Sequence, residues 1–125
     1  IILQLKKNVS TIPLTAGMQK RDFIYVDDAV DAYLTALSKY TSFKKFEEFN
    51  IGSGELVSIK EFVDNLYKMY KEKHVECKTR LVFGALPYRE GEVMERILSI
   101  KSLNKLGWVP RIKYKDGIKK LIGYT

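Results

Sequence analysis

The chain has 125 residues, 46% hydrophobic and 30% charged, enough for one compact core and ordinary for a soluble globular protein. Cys77 stands alone, which excludes an internal disulfide and a cysteine zinc site and fits the reducing cytoplasm. No apolar run approaches the roughly 20 residues that span a bilayer, so no membrane partner is expected.

The opening Ile1-Ile2-Leu3-Gln4-Leu5, ending at Lys6-Lys7-Asn8, reads as the tail of a helix and suggests a fragment. It is too short for a signal peptide and lacks a basic leader. Ile12-Pro13-Leu14-Thr15 reads as a short strand, and residues 16–20 as a turn. The octet Arg21-Asp22-Phe23-Ile24-Tyr25-Val26-Asp27-Asp28 alternates as a strand should, with Phe23, Tyr25 and Asp27 on one face. Asp27 or Asp28 is placed to N-cap the helix that follows to about Ser38, along which Ala29, Val30, Tyr33, Leu34 and Leu37 keep helical spacing. Phe49-Asn50-Ile51 reads as a strand closed by the turn Gly52-Ser53-Gly54.

Ser58-Ile59-Lys60-Glu61 has the form of a capping box, with Ile59, Phe62, Val63, Leu66, Tyr67 and Tyr70 behind it on one helical face. The only histidine, His74, falls at the basic end of that helix. Residues 77–83 alternate as a strand, and Pro87 opens the loop Tyr88-Arg89-Glu90-Gly91-Glu92. Ile100, Leu103 and Leu106 predict a short helix stopped by Gly107, with Trp108 on the core. A last helix runs from about Tyr114 to Ile122, with Ile118, Leu121 and Ile122 inward. Strands and helices alternate, so the class is α/β or α+β.

Ligand-type groups cluster at Arg21 with Asp22 and at Arg89 with Glu92. Two arginines from distant segments suit a diphosphate through charge-assisted, bidentate hydrogen bonds, and Glu92 suits the hydroxyls of an adjoining sugar. The three-residue spacing of Arg89 and Glu92 also fits a plain surface ion pair. The triplet Gly52-Ser53-Gly54 is half of a dinucleotide fingerprint, with Val57 where a third glycine belongs, and reads as a tight turn. Tyr67 and Lys71 have Tyr-x-x-x-Lys spacing, but Tyr67 lies on the apolar helical face and reads as packing. The net charge of +7 comes from 22 basic and 15 acidic residues. The lysines are spread along the chain, with pairs such as Lys44-Lys45 and Lys119-Lys120 but no block, so a solvated surface is favoured over a nucleic-acid stripe. A small basic module for nucleic acid or another polyanion is the alternative from another class, and an inert or domain-swapped remnant a third.

Four segments in order, the Arg21–Asp28 octet, Phe49-Asn50-Ile51-Gly52-Ser53-Gly54, Tyr88-Arg89-Glu90-Gly91-Glu92 and Leu106-Gly107-Trp108-Val109-Pro110, resemble the C-terminal part of the extended short-chain dehydrogenase/reductases, the NAD-dependent nucleotide-sugar epimerase/dehydratase family. The resemblance spans nearly the whole chain. It implies an α/β fold (α+β in isolation): residues 1–125 are the nucleotide-sugar-binding C-terminal domain, helices on short strands, with the N-terminal Rossmann core absent. It further implies that the positions of Arg21 and Arg89 contact the diphosphate, that of Glu92 the nucleotide ribose, and that the Pro13-Leu14 segment runs beside the base. The Phe49–Ile51 strand would join the parent's main sheet.

The same resemblance implies NAD or NADP in the parent enzyme, a homodimer, with no cofactor bound by this piece and no catalytic residue in it. The glycine-rich loop, the Ser/Thr and the Tyr-x-x-x-Lys dyad would lie upstream. Epimerase, dehydratase and reductase (isomerase, lyase and oxidoreductase chemistry) stay open, with a lean of the Pro87–Met94 wording toward deoxysugars for surface polysaccharides. Leu98 and Ile100 stand where the family has an Asp and a Ser or Thr, so Ser99 is expected to cap the helix that follows.

Overall fold

The computed structural model describes residues 1–43 and 45–123. In chain order it contains α1 (Ile2–Lys6), β1 (Thr11–Pro13), β2 (Lys20–Asp22), α2 (Val26–Ser38), β3 (Leu56–Ser58), α3 (Ile59–Lys73), β4 (Arg80–Val82), α4 (Lys101–Lys105) and α5 (Tyr114–Gly123), with a 3₁₀ turn at Tyr40–Ser42. The strands form two separate pairs. β1 runs parallel to β4 with Ile12 beside Leu81, and β2 runs antiparallel to β3 with Arg21 beside Val57.

Around the first pair, the apolar faces of α3 and α5 close on Leu5 and Ile12. Leu5, Ile12, Leu66, Tyr70, Cys77, Ile118 and Ile122 form this core. A second cluster gathers Ala32, Leu103 and Trp108, with Ile24, Phe49, Ile51, Ile100 and Leu106 against it. Phe23 bridges toward α3 by stacking on Phe62, centroids 3.9 Å apart. Among the described residues no helix is long and apolar enough to cross a membrane.

Local signals formed as their chemistry requires. Ser58 N-caps α3, its hydroxyl accepting from the Glu61 amide at 3.1 Å. The return bond from Glu61 is not made. The Ile59 amide donates to Gln19 O at 2.9 Å, Ser58 itself belongs to β3, and the Glu61 carboxylate takes the Tyr114 hydroxyl at 2.6 Å. The end of α4 is a Schellman motif: Gly107, at φ +94°, donates to Asn104 O and Trp108 donates to Leu103 O. The turn drops Trp108 into the core at 1% exposure, where its indole N–H donates to Asp28 O at 3.2 Å.

Elsewhere tertiary partners overrode the sequence reading. The octet is a strand only through Asp22, because β3 offers three residues of ladder and no more. Neither Asp27 nor Asp28 caps α2; its N-cap is Tyr25, with no side-chain bond. Asp28 lies in the first turn, is buried, and accepts the amides of Arg111 (3.0 Å) and Ile112 (2.8 Å). Phe49–Ile51 is not a strand, since among the described residues none lies alongside it. Its side chains still pack on the second core. Ser99 does not cap α4, whose N-cap is Ile100 without a side-chain bond; the Ser99 carbonyl instead accepts from the Asn50 side-chain Nδ2. On α5, Ile118 and Ile122 turn inward while Leu121 stays 41% exposed. Along α2, Val30, Tyr33, Leu34 and Leu37 are all at least half exposed, and the buried positions are Asp28 and Ala32.

Candidate functional site

Arg21 is the centre of a tie between β2 and the segment that follows Arg89. Its Nη1 donates to Lys20 O and to Val93 O, both at 2.8 Å, and its Nη2 pairs with Glu92 Oε1. The preceding residue repeats the pattern. The Lys20 amide donates to Met94 O at 2.7 Å, and its ammonium pairs with Glu95 at 2.7 Å. Residues 92–95 are therefore laced to one short strand by backbone and side chain alike.

Arg89 opens the turn that leads into this segment. The Glu92 amide closes it onto Arg89 O at 3.1 Å, and Gly91 supplies the left-handed conformation it needs, at φ +72°. The Arg89 side chain is exposed. Leu14 holds the start of the same loop: its amide donates to Val82 O and its carbonyl accepts from Leu86 N, while its half-buried side chain packs on the first core. Tyr88 is anchored too, its hydroxyl accepting from the Met18 amide. Of the residues singled out from sequence, Arg21 and Glu92 meet directly, Arg89 stands three residues ahead of Glu92, and Leu14 fixes where the loop begins.

Between β2 and this segment opens a pocket of about 400 Å³ lined by Arg21, Asp22, Val93, Arg96 and Leu98. Asp22 contributes little free charge to it. Its carboxylate accepts the Ser53 amide and hydroxyl at 2.6 Å each and the Gly54 amide at 2.9 Å. This also explains Gly52-Ser53-Gly54. The backbone amides that a dinucleotide phosphate would need hold the chain's own Asp22, and a Cβ on Gly52 would meet Asp22 Oδ2 at 2.5 Å. The triplet does not fit a nicotinamide cofactor.

Arg96 escaped the sequence reading. The only signal was the density of charge from Arg89 to Arg96, which has no periodicity to single out one member.

Other chemistry-bearing groups are structural. Tyr67 donates to Thr79 O, and Lys71 lies 5.6 Å from its ring, so the Tyr-x-x-x-Lys pair is packing. His74 stacks on Tyr70 at 4.3 Å beside Glu76. Burial raises the Tyr70 phenol, and burial with the Glu61 hydrogen bond pushes Tyr114 up to about 12. Among the described residues no group of three His, Cys, Asp or Glu could hold a metal ion.

Residues 1–52 match the model of the NAD dependent epimerase/dehydratase family. CDP-abequose synthase of Salmonella typhimurium is 37% identical over 98% of this chain. The chain belongs to the NAD-dependent epimerase/dehydratase family. It spans 40% of the length of that synthase, and 30% of the human dTDP-D-glucose 4,6-dehydratase, to which it is 32% identical over 86% of its own length. Among solved structures of the family fold, the UDP-glucose 4-epimerase of Thermotoga maritima with UDP-glucose superposes with a TM-score of 0.68 at 28% identity, over 97% of this chain and 36% of that one. The RMD protein of Pseudomonas aeruginosa complexed with NADPH shares the fold, with a TM-score of 0.74 at 22% identity over 98% of this chain and 38% of that one. The Rossmann-type epimerase/dehydratase class expected from the four segments is thus borne out.

Proposed function

We propose that this chain is the nucleotide-sugar-binding portion of an NAD(P)-dependent nucleotide-sugar epimerase, dehydratase or reductase, holding the diphosphate of a sugar nucleotide. The observation that carries the reading is the junction of Arg21 with Glu92. It joins a guanidinium that lines the pocket to a carboxylate from a distant segment, beside the Arg89 turn. A diphosphate and its ribose present the same alternation of anionic oxygens and hydroxyls. Arg21 and Arg89 grip the diphosphate, Glu92 the ribose, and the Leu14 segment borders the base.

The relatives named for CDP- and dTDP-linked sugars favour a deoxysugar nucleotide, of the kind used in surface polysaccharides. The exposed apolar side of α2 supports a companion Rossmann portion that carries NAD(P) and the reacting groups. Titration calorimetry of the 125-residue chain with CDP-, dTDP-, UDP- and GDP-sugars tests the reading. One of them should bind, and Arg89→Ala should weaken it about tenfold or more with an unchanged urea midpoint, as expected for loss of a charged hydrogen bond. Absence of binding with all four, or an Arg89→Ala variant that binds like the wild type, refutes it.

A further inference from the structure

The proposed diphosphate site has a charge problem. Arg21, its central cation, is neutralised by Glu92, and both Nη1 hydrogens are engaged by Lys20 O and Val93 O. Of its five donors, three are held by the protein itself, so Arg21 offers an incoming phosphate an edge and little net charge. The other carboxylates nearby are taken as well: Asp22 by the Ser53-Gly54 amides and Glu95 by Lys20.

Arg96 differs from all of these. It lines the same pocket, is exposed, and among the described residues has no carboxylate or carbonyl partner. Its backbone is nonetheless well placed, because residues 92–95 immediately before it are tied to β2 at four points. An unpaired guanidinium on a fixed stem, lining the same pocket as a second guanidinium, is an arrangement suited to a phosphate.

We infer that Arg96 is a further phosphate-binding cation of this pocket, added to the Arg21 grip, and that Arg21 also holds the 92–95 segment so that Arg96 is presented. The ligand class is a phosphate group of a nucleoside diphosphate, which rests on the reading above and adds a residue to it. Arg96 supplies the uncompensated positive charge, and the free edge of Arg21 completes the contact.

The test uses the 125-residue chain, with CDP, inorganic pyrophosphate and cytidine as probes in calorimetry. Arg96→Ala should weaken CDP and pyrophosphate at least tenfold and leave any cytidine binding unchanged. Arg96→Lys should fall between, since a point charge replaces a planar fork. Lys68→Ala removes one positive charge from an exposed α3 residue that does not line the pocket, and should leave CDP affinity within about twofold, since salt screens exposed charges. Equal losses in Arg96→Ala and Lys68→Ala would mean a general charge effect and overturn the assignment. Wild-type CDP binding that survives Arg96→Ala overturns it too, while leaving the nucleotide-sugar reading intact. A wild-type chain that binds neither CDP nor pyrophosphate overturns both. Because Arg96 is exposed and makes no bond among the described residues, the variants should unfold at the wild-type urea midpoint, and each result reads binding alone.

Discussion

Replacing Asp28 by alanine is the sharpest test of how this fold is locked. The Asp28 carboxylate is 4% exposed and accepts two backbone amides, from Arg111 at 3.0 Å and Ile112 at 2.8 Å. Hydrogen bonds to a charged group contribute about 1.5–3 kcal/mol each, and a donor left buried without a partner costs about 1–3 kcal/mol. Two such bonds add to at most about 6 kcal/mol. The amides stand in the turn before α5 and can recover some water, which brings the expected loss to roughly 3 kcal/mol. For a domain of this size that corresponds to a drop of about 10–15 °C in Tm. Asp28→Asn keeps one acceptor oxygen but loses the charge, and should cost roughly half as much. Urea unfolding followed by Trp108 fluorescence measures both variants, with an unchanged m-value expected because the same surface is exposed. Trp108 is a reporter of the same junction, since its indole donates to the Asp28 carbonyl. An Asp28→Ala chain within about 1 kcal/mol of the wild type would refute the view that this carboxylate fastens α2 to the segment before α5.

Gly52→Ala should destabilise by about 2 kcal/mol in the same urea assay, because the new methyl meets a carboxylate that three hydrogen bonds keep from moving. A neutral result would mean that the Asp22 cradle is loose. Tyr114 carries the pH prediction. Its folded pKa stands at about 12, above the usual 10, so the native state holds that proton more tightly than the unfolded chain. The associated stability is fully present below pH 10 and is lost as pH rises from 10 toward 12. Tyr114→Phe should flatten the alkaline fall in urea midpoint between pH 10 and 12, and an identical fall in both proteins would exclude Tyr114 as its source.

The parts of this fold that were legible are those whose physics is local. Ser58 needs only Glu61 three residues on, and Leu106-Gly107-Trp108 specifies a Schellman turn without outside help. The octet misled because its alternation continues past the point where β3 stops, and a strand lasts only as long as its ladder. Asp28 has the composition of an N-cap, yet a distant turn claimed its oxygen, which no local pattern signals. At the site, Arg21 and Glu92 were legible by residue type, but spacing offered Glu92 an ion pair with Arg89, and the fold pairs it with Arg21 instead. Arg96 was hidden because an arginine in a loop announces nothing until the loop is folded.

The ties that hold the pocket and α2 join residues far apart along the chain: 71 positions for Arg21 with Glu92, 72 for Arg21 with Val93, 83 for Asp28 with Arg111. β1 waits similarly for β4, since Thr11 pairs with Arg80. During synthesis, at about 5–20 residues per second, β2 and Asp28 emerge several seconds before any of their partners. The entropy of closing such long loops must be met before the contacts repay it, which places the chain among slow folders, on millisecond-to-second scales. In that interval Arg21 and Asp28 are unpaired charges on an open chain, which favours solvation over premature collapse. The lacing that holds the pocket also makes it wait for residues 92–95, some seventy positions after β2 has been made.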